Sequence, residues 1–232
     1  MRNRKTLKER FSVQLHHKDV VAMIHKQISQ IVMERGHMMV CNEDIQNTIN
    51  LVAKWLIDPT EKPWLFLCGN VGNGKTTMLK AIGQVLSIYQ LPLSNEFGYD
   101  YGNSYSGPCR PILQIRNAKD IFYESRCNYD AQKRFYNIPM LGIDDFGTEP
   151  LEGLDYGTTI TPMIDLITDR YENNLFTAFT SNLAVMKVRE IYGDRIADRL
   201  NEMIYKITFC TESFRSIGNN SSNTTKSKET DK

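Results

Sequence analysis

The residues Gly69-Asn70-Val71-Gly72-Asn73-Gly74-Lys75-Thr76 spell G-x-x-x-x-G-K-T and directly follow the apolar run Trp64-Leu65-Phe66-Leu67-Cys68. Glycines permit backbone angles that a side chain forbids, so successive N–H groups can curl around phosphate oxygens at a helix N-terminus. Lys75 would then reach the β and γ phosphates and the Thr76 hydroxyl would hold Mg²⁺, with Thr77 counted among the nucleotide-binding positions. A plain Gly-rich turn is the alternative. The strand before and the helix after argue against it.

A second group follows at Pro139-Met140-Leu141-Gly142-Ile143-Asp144-Asp145-Phe146-Gly147, an apolar strand ending in two carboxylates. Asp144 at the strand end suits a Mg²⁺ shell, and Asp145 suits polarisation of an attacking water. The competing reading is a turn started by Asp-Asp before Gly147. Thr180-Ser181-Asn182 closes a later strand, where Asn182 could contact a γ-phosphate or cap the next helix. In Tyr192-Gly193-Asp194-Arg195-Ile196-Ala197-Asp198-Arg199-Leu200, Arg195 and Arg199 share a helical face. Such arginines serve a neighbouring subunit's nucleotide, or they pair with Asp194 and Asp198 on a solvated surface.

Positioning these groups takes alternating strands and helices. Strands are expected at Trp64–Cys68, Ile112–Ile115, Ile138–Ile143, Phe176–Thr180 and Tyr205–Cys210. Helices are expected over Lys75–Tyr89, from about Ala118, over about Thr159–Glu172, and as two short pieces after Asn182. That order predicts an α/β fold with a parallel five-stranded sheet covered by helices on both faces. Residues 1–60 read as a helical N-terminal extension: Val20, Ile24, Ile28, Ile31 and Val32 recur at helical spacing up to Gly36. Ile45, Thr48, Ile49, Val52 and Leu56 form a second stripe behind an Asn42 cap, closed by Asp58-Pro59. Packing against the following domain is the favoured use of these stripes over partner binding. Residues 61–216 form the core, and 217–232 read as a disordered polar tail.

Taken together, Gly69–Thr76, Leu141–Gly147, Thr180-Ser181-Asn182, Gly193–Leu200 and Ser213-Phe214-Arg215 resemble the AAA+ ATPases of the DnaC/DnaI helicase-loader and IstB transposition-helper group. The resemblance implies a P-loop NTPase of AAA+ type with little or no C-terminal lid, binding ATP and Mg²⁺. It assigns Lys75 and Thr76 to the first motif, Asp144 to the metal side and Asp145 to catalysis. Asn182 matches the first sensor, Arg199 the arginine finger with Arg195 as companion, and Arg215 the second sensor. Val71 stands where many relatives carry proline, and Thr211 where they usually carry glycine. Implied partners are a replicative DNA helicase or a transposase, single-stranded DNA, and further copies of the chain in an ATP-dependent oligomer. Phe122, Tyr123, Arg126, Lys133, Arg134 and Phe135 interleave aromatic and basic groups as a single-strand surface would; alternatively the aromatics are core and the charges solvated. A P-loop kinase and a weakly hydrolysing nucleotide switch are the rival classes.

A net charge of +1 over 232 residues gives no general attraction to nucleic acid, and 41% hydrophobic with 24% charged residues is ordinary for a globular chain. Five cysteines without a C-x-x-C pair read as reduced thiols rather than disulfides or zinc ligands. The basic start Met1–Lys8 lacks an apolar signal core, and no apolar run is long enough for a bilayer. A cytoplasmic location without membrane contact is expected.

Overall fold

The computed structural model describes residues 11–89, 113–127, 129–155 and 157–210. In chain order its elements are α1 (His17–Glu34), α2 (Glu43–Ile57), β1 (Trp64–Gly69), α3 (Lys75–Tyr89), β2 (Gln114–Asn117), α4 (Ala118–Cys127), α5 (Tyr129–Asn137), β3 (Met140–Phe146), β4 (Gly153–Asp155), β5 (Thr158–Ile160), α6 (Pro162–Glu172), β6 (Phe176–Ser181), α7 (Val185–Met203) and β7 (Ile204–Phe209). Five strands form one sheet in the order β2-β3-β6-β1-β7, every neighbouring pair parallel. Parallel neighbours cannot be joined by hairpins, so each connection crosses a face as helix.

Both faces are therefore covered. In β1, Trp64, Phe66 and Cys68 enter one apolar cluster, with α4, α6 and α7, while Leu65 and Leu67 enter the other, with α1, α2 and α3. This is the period-two alternation of a strand buried on both sides. The expected α/β class, five parallel strands and two helical layers are all present.

The stripes of the first sixty residues are core. Val20, Ile24, Ile28 and Ile31 on α1 and Ile49, Val52, Trp55 and Leu56 on α2 are buried in the same cluster as Leu79, Ile82 and Ile207. Asn42 caps α2 as expected, its side chain accepting from the Ile45 N–H at 2.9 Å, and α2 ends at Ile57. The division at residue 60 is thus one of sequence, because the described part of the extension shares its core with the sheet.

One local departure has a clear cause. The helix expected from about Thr159 begins at Pro162, because residues 153–160 instead form an antiparallel β4–β5 hairpin with Gly157 at φ 85° in its turn. The two helical pieces after Asn182 are the halves of α7, separated at Gly193 by φ 82° and ψ 170°. The segment expected as the start of β2 at Ile112, and the polar tail, lie outside the described residues.

Arg170 fastens one side of the sheet from within. Fully buried, it donates from Nε to Thr177 Oγ1 (2.8 Å), from Nη1 to the carbonyls of Phe135 (3.2 Å) and Ile138 (2.7 Å), and from Nη2 to that of Phe176 (2.5 Å). One side chain thereby joins α6 to α5 and to the edges of β3 and β6.

Candidate nucleotide and hydrolysis site

The phosphate loop lies between β1 and α3, where the helix N-terminus supplies free N–H groups and the positive end of its dipole. Gly69 has φ 146°, and a Cβ there would stand 2.5 Å from the Phe209 carbonyl oxygen and 2.6 Å from Asn73 Nδ2. Only glycine fits. The Lys75 ammonium donates to the carbonyls of Gly69 (2.8 Å) and Asn70 (2.6 Å) and to Asn73 Oδ1 (3.0 Å). Burial pushes its pKa down, opposed in part by Asp145, Cys68 and Asp144.

The two carboxylates enter from β3. Its register to β6 shifts between Ile143 and Phe146, a bulge that breaks the alternation at Asp144-Asp145 and re-aims both side chains. Asp144 Oδ1 accepts from Thr76 Oγ1 (2.9 Å) and from Thr180 Oγ1 (2.5 Å), while Thr180 Oγ1 itself accepts from the Asp145 N–H (2.9 Å). One hydroxyl on β6 therefore fixes the bulge and joins the phosphate loop to the carboxylate pair. Asp145 sits at φ 58°, a left-handed conformation uncommon outside glycine. Its carbonyl accepts from Thr148 N (3.2 Å) and Oγ1 (2.9 Å), and its Oδ2 from Asn117 Nδ2 (3.4 Å).

Of these groups, Asn73, Lys75, Thr76, Asn117, Asp145 and Thr148 line one cleft of about 1180 Å³, and Asp144 and Thr180 stand behind its lining, joined to it through Thr76 and Asp145. Its lining combines Lys75, Asp145, Asn117 and Asn182 with the apolar side chains of Ile28, Val32, Met38, Ile45 and Phe209, the last set against the loop by the Asn73 Nδ2 bond to its carbonyl (3.2 Å). Charged and apolar groups in one cleft suit a ligand with both phosphate and flat apolar parts. Arg35, at the C-terminal cap of α1, bonds Thr77 Oγ1 at 3.1 Å and adds a cation to this cleft.

Thr76 and Asp144 offer only oxygen donors at the cleft, the set a hard cation such as Mg²⁺ takes. No group of three or more His, Cys, Asp or Glu among the described residues could hold a metal ion. A Mg²⁺ ion here would complete its shell with water and phosphate oxygens, and bound it would neutralise phosphate charge.

Sheet order, phosphate loop and carboxylate bulge can be compared with known structures. The solved structure of the DnaC helicase loader is 21% identical to this chain, covers 74% of it and 93% of its own length, and superposes with a TM-score of 0.51. That of DnaI is 17% identical, covers 79% of this chain and 93% of its own, and gives 0.53. The fold is that of the DnaC and DnaI group. No protein-family model matches the sequence, and no curated protein matches it.

Within this fold the remaining expected residues fall in different places. Asn182 is exposed at the cleft. It does not cap α7, whose N-cap is Ala184 with no side-chain bond. Asp194 and Asp198 pair with neither Arg195 nor Arg199: both bind Arg189, across the Gly193 break, the Asp198 contact at 2.7 Å. Arg195 is exposed. Arg199 is mostly covered, its Nη2 bonded to Glu172 Oε1 at 3.1 Å and its guanidinium 5.0 Å from the Tyr171 ring centroid. Its Nη1 is buried without a hydrogen-bond partner. Glu172, which Arg199 binds, precedes the start of β6 and Asn182 follows its end, so a strand of roughly 20 Å lies between the two positions in the chain.

The aromatic and basic group on α4 and α5 divides. Phe122 and Phe135 are buried and cannot stack on bases, which corrects the expectation for both. Phe135 joins the apolar cluster on that face of the sheet, while Phe122 lies against Gly153 of the β4–β5 hairpin, and in both burial outweighs exposure to a ligand. Tyr123, Arg126, Lys133 and Arg134 are exposed. Arg215 lies outside the described residues. Asn117, Glu149 and Arg35 belong to no motif, and Thr180 reads in the sequence only as part of Thr180-Ser181-Asn182, because each acts through a tertiary contact. No helix among the described residues is long and apolar enough to cross a membrane.

Proposed function

We propose that the protein is an ATP-hydrolysing AAA+ protein of DNA replication that loads a replicative helicase, with ATP and Mg²⁺ held between adjacent copies. The observation that supports this reading is the Thr76–Asp144–Thr180 junction: Asp144 is bonded to Thr76 of the Gly69–Thr76 loop, and Lys75, Thr76 and Asp145 line one cleft. Asn182 monitors the γ-phosphate from the end of β6. Arg199 acts with Arg195 on a neighbour's nucleotide, and Arg215 acts as second sensor. The helicase-loader choice over transposase help is supported by the DnaC helicase loader and DnaI among similar structures. Tyr123, Arg126, Lys133 and Arg134 form the exposed strip for single-stranded DNA, and the site of action is the cytoplasm.

Mixing variants tests the shared site. Asp145→Asn should lose at least about 100-fold in turnover while keeping ATP binding, and Arg199→Ala should fall similarly. Mixed, the two should regain turnover, because some interfaces then pair an intact Asp145 with an intact Arg199. Mixtures as inactive as their components would sink the shared-site reading. Capture of a replicative helicase by the wild type in ATP, lost with Lys75→Ala, would support the loader assignment; capture of a transposase instead would replace it.

A further inference from the structure

Glu149 is a buried carboxylate that touches neither the phosphate loop nor the expected metal position. Its two oxygens hold two different parts of the fold. Oε2 accepts the Gly147 N–H at 2.8 Å, at the end of the turn that begins with Asp145. Oε1 accepts the Tyr192 hydroxyl. Tyr192 is the last residue before the Gly193 break, beyond which α7 carries Arg195 and Arg199. The Tyr192 ring also stacks on Phe146, the residue after Asp145, with centroids 4.7 Å apart and planes 16° from parallel.

A role in stability alone fits poorly. No cation pairs with Glu149 among the described residues, and a buried carboxylate without one is costlier than a well-packed apolar side chain. What a carboxylate provides and an apolar group does not is two directional acceptors of fixed separation. Here they fix the distance between the Asp145 turn and the start of the arginine segment. Gly147 holds φ 92°, a backbone conformation that residues with side chains rarely adopt, and it packs against Leu183, next to Asn182.

We propose that Glu149 is a positioning residue that couples the Asp145 turn to the arginine-bearing half of α7 through the Tyr192 hydroxyl. It does not touch the nucleotide. A shift at the arginine segment, such as docking against a neighbour, passes through Tyr192 and Glu149 to the placement of Asp145. The inference rests on the ATPase reading above.

The decisive variant is Tyr192→Phe, which keeps the ring stack on Phe146 and removes one hydroxyl. It should lower kcat about tenfold with KM for ATP within about twofold, because ground-state binding is made elsewhere. Glu149→Leu, which removes both acceptors where a glutamine would keep the link by donating its amide to the Tyr192 oxygen, should lose at least as much, and the double variant should fall no further than the lower single one, since both break the same link. Unchanged kcat in folded Tyr192→Phe overturns the proposal. So does a double variant whose losses multiply, or a KM rise that accounts for the whole effect. Absence of wild-type turnover defeats the ATPase reading and this inference with it, whereas wild-type turnover abolished by Asp145→Asn but indifferent to Tyr192→Phe defeats this inference alone.

Discussion

Replacing Thr180 with valine removes one oxygen atom from the interior and nothing else of size, since the two side chains are nearly isosteric. That oxygen, on a fully buried residue, makes two bonds, donating to Asp144 Oδ1 at 2.5 Å and accepting from the Asp145 N–H at 2.9 Å. Losing the acceptor leaves a half-buried N–H unsatisfied, about 1–3 kcal/mol, and losing the donor to a carboxylate removes about 1.5–3 kcal/mol. Asp144 keeps its bond from Thr76, so part of the second loss is recovered. A net destabilisation of about 2–4 kcal/mol follows, which for a domain of this size lowers Tm by about 5–15 °C. Thermal unfolding followed by circular dichroism measures it, without nucleotide so that ligand linkage does not intervene. Thr159→Val, at an exposed position on β5, is the control and should stay within about 0.5 kcal/mol of wild type. A Thr180→Val protein melting within about 2 °C of wild type would refute the claim that this hydroxyl holds the carboxylate bulge.

Arg170→Met should cost at least about 4 kcal/mol, because three carbonyls and the Thr177 hydroxyl lose a buried cationic donor together. A urea midpoint shift reads it, and an unchanged midpoint would contradict the clamp. For Lys75, burial holds the ammonium below its ordinary value, so on raising pH the folded protein sheds that proton before the unfolded chain does. Stability without nucleotide therefore rises as pH climbs through the lowered pKa and levels off by the unfolded value near 10.5. Triphosphate binding favours the protonated form, so ATP affinity should weaken over the same window. Lys75→Arg, which stays charged, should remove that trend in fluorescent-nucleotide titrations if the protein still binds, and a trend that persists would place its origin elsewhere.

Much of the site was legible because its parts are local. Eight consecutive residues make the phosphate loop, and three end the strand that carries Asn182. Asp144 and Asp145 could be read as a strand-end pair, yet their joint presence at the cleft depends on a register shift against β6 that no property of residues 140–146 announces. Phe122 and Phe135 were misread for a related reason. An aromatic beside a basic residue has the same pattern whether its ring faces solvent or core; the apolar cluster on that face of the sheet buries Phe135, and Phe122 is buried against Gly153 of the hairpin. The hairpin at residues 153–160 was hidden because Thr158, Thr159 and Ile160 adjoin a helix start at Pro162 and are too few to show a period.

By itself the sequence determined the alternation of strand and helix, the phosphate loop and the presence of an acidic pair and paired arginines in order along the chain. Those follow from hydrophobic period, glycine's backbone freedom and side-chain chemistry, all properties of short segments. Tertiary structure alone decided that Thr180 joins Thr76 to the carboxylates and that Glu149 meets Tyr192. It also set Arg199 on Glu172, ahead of the strand that Asn182 follows. Each of these is a relation between segments distant in sequence, fixed by which faces bury together and which buried polar atoms must find partners.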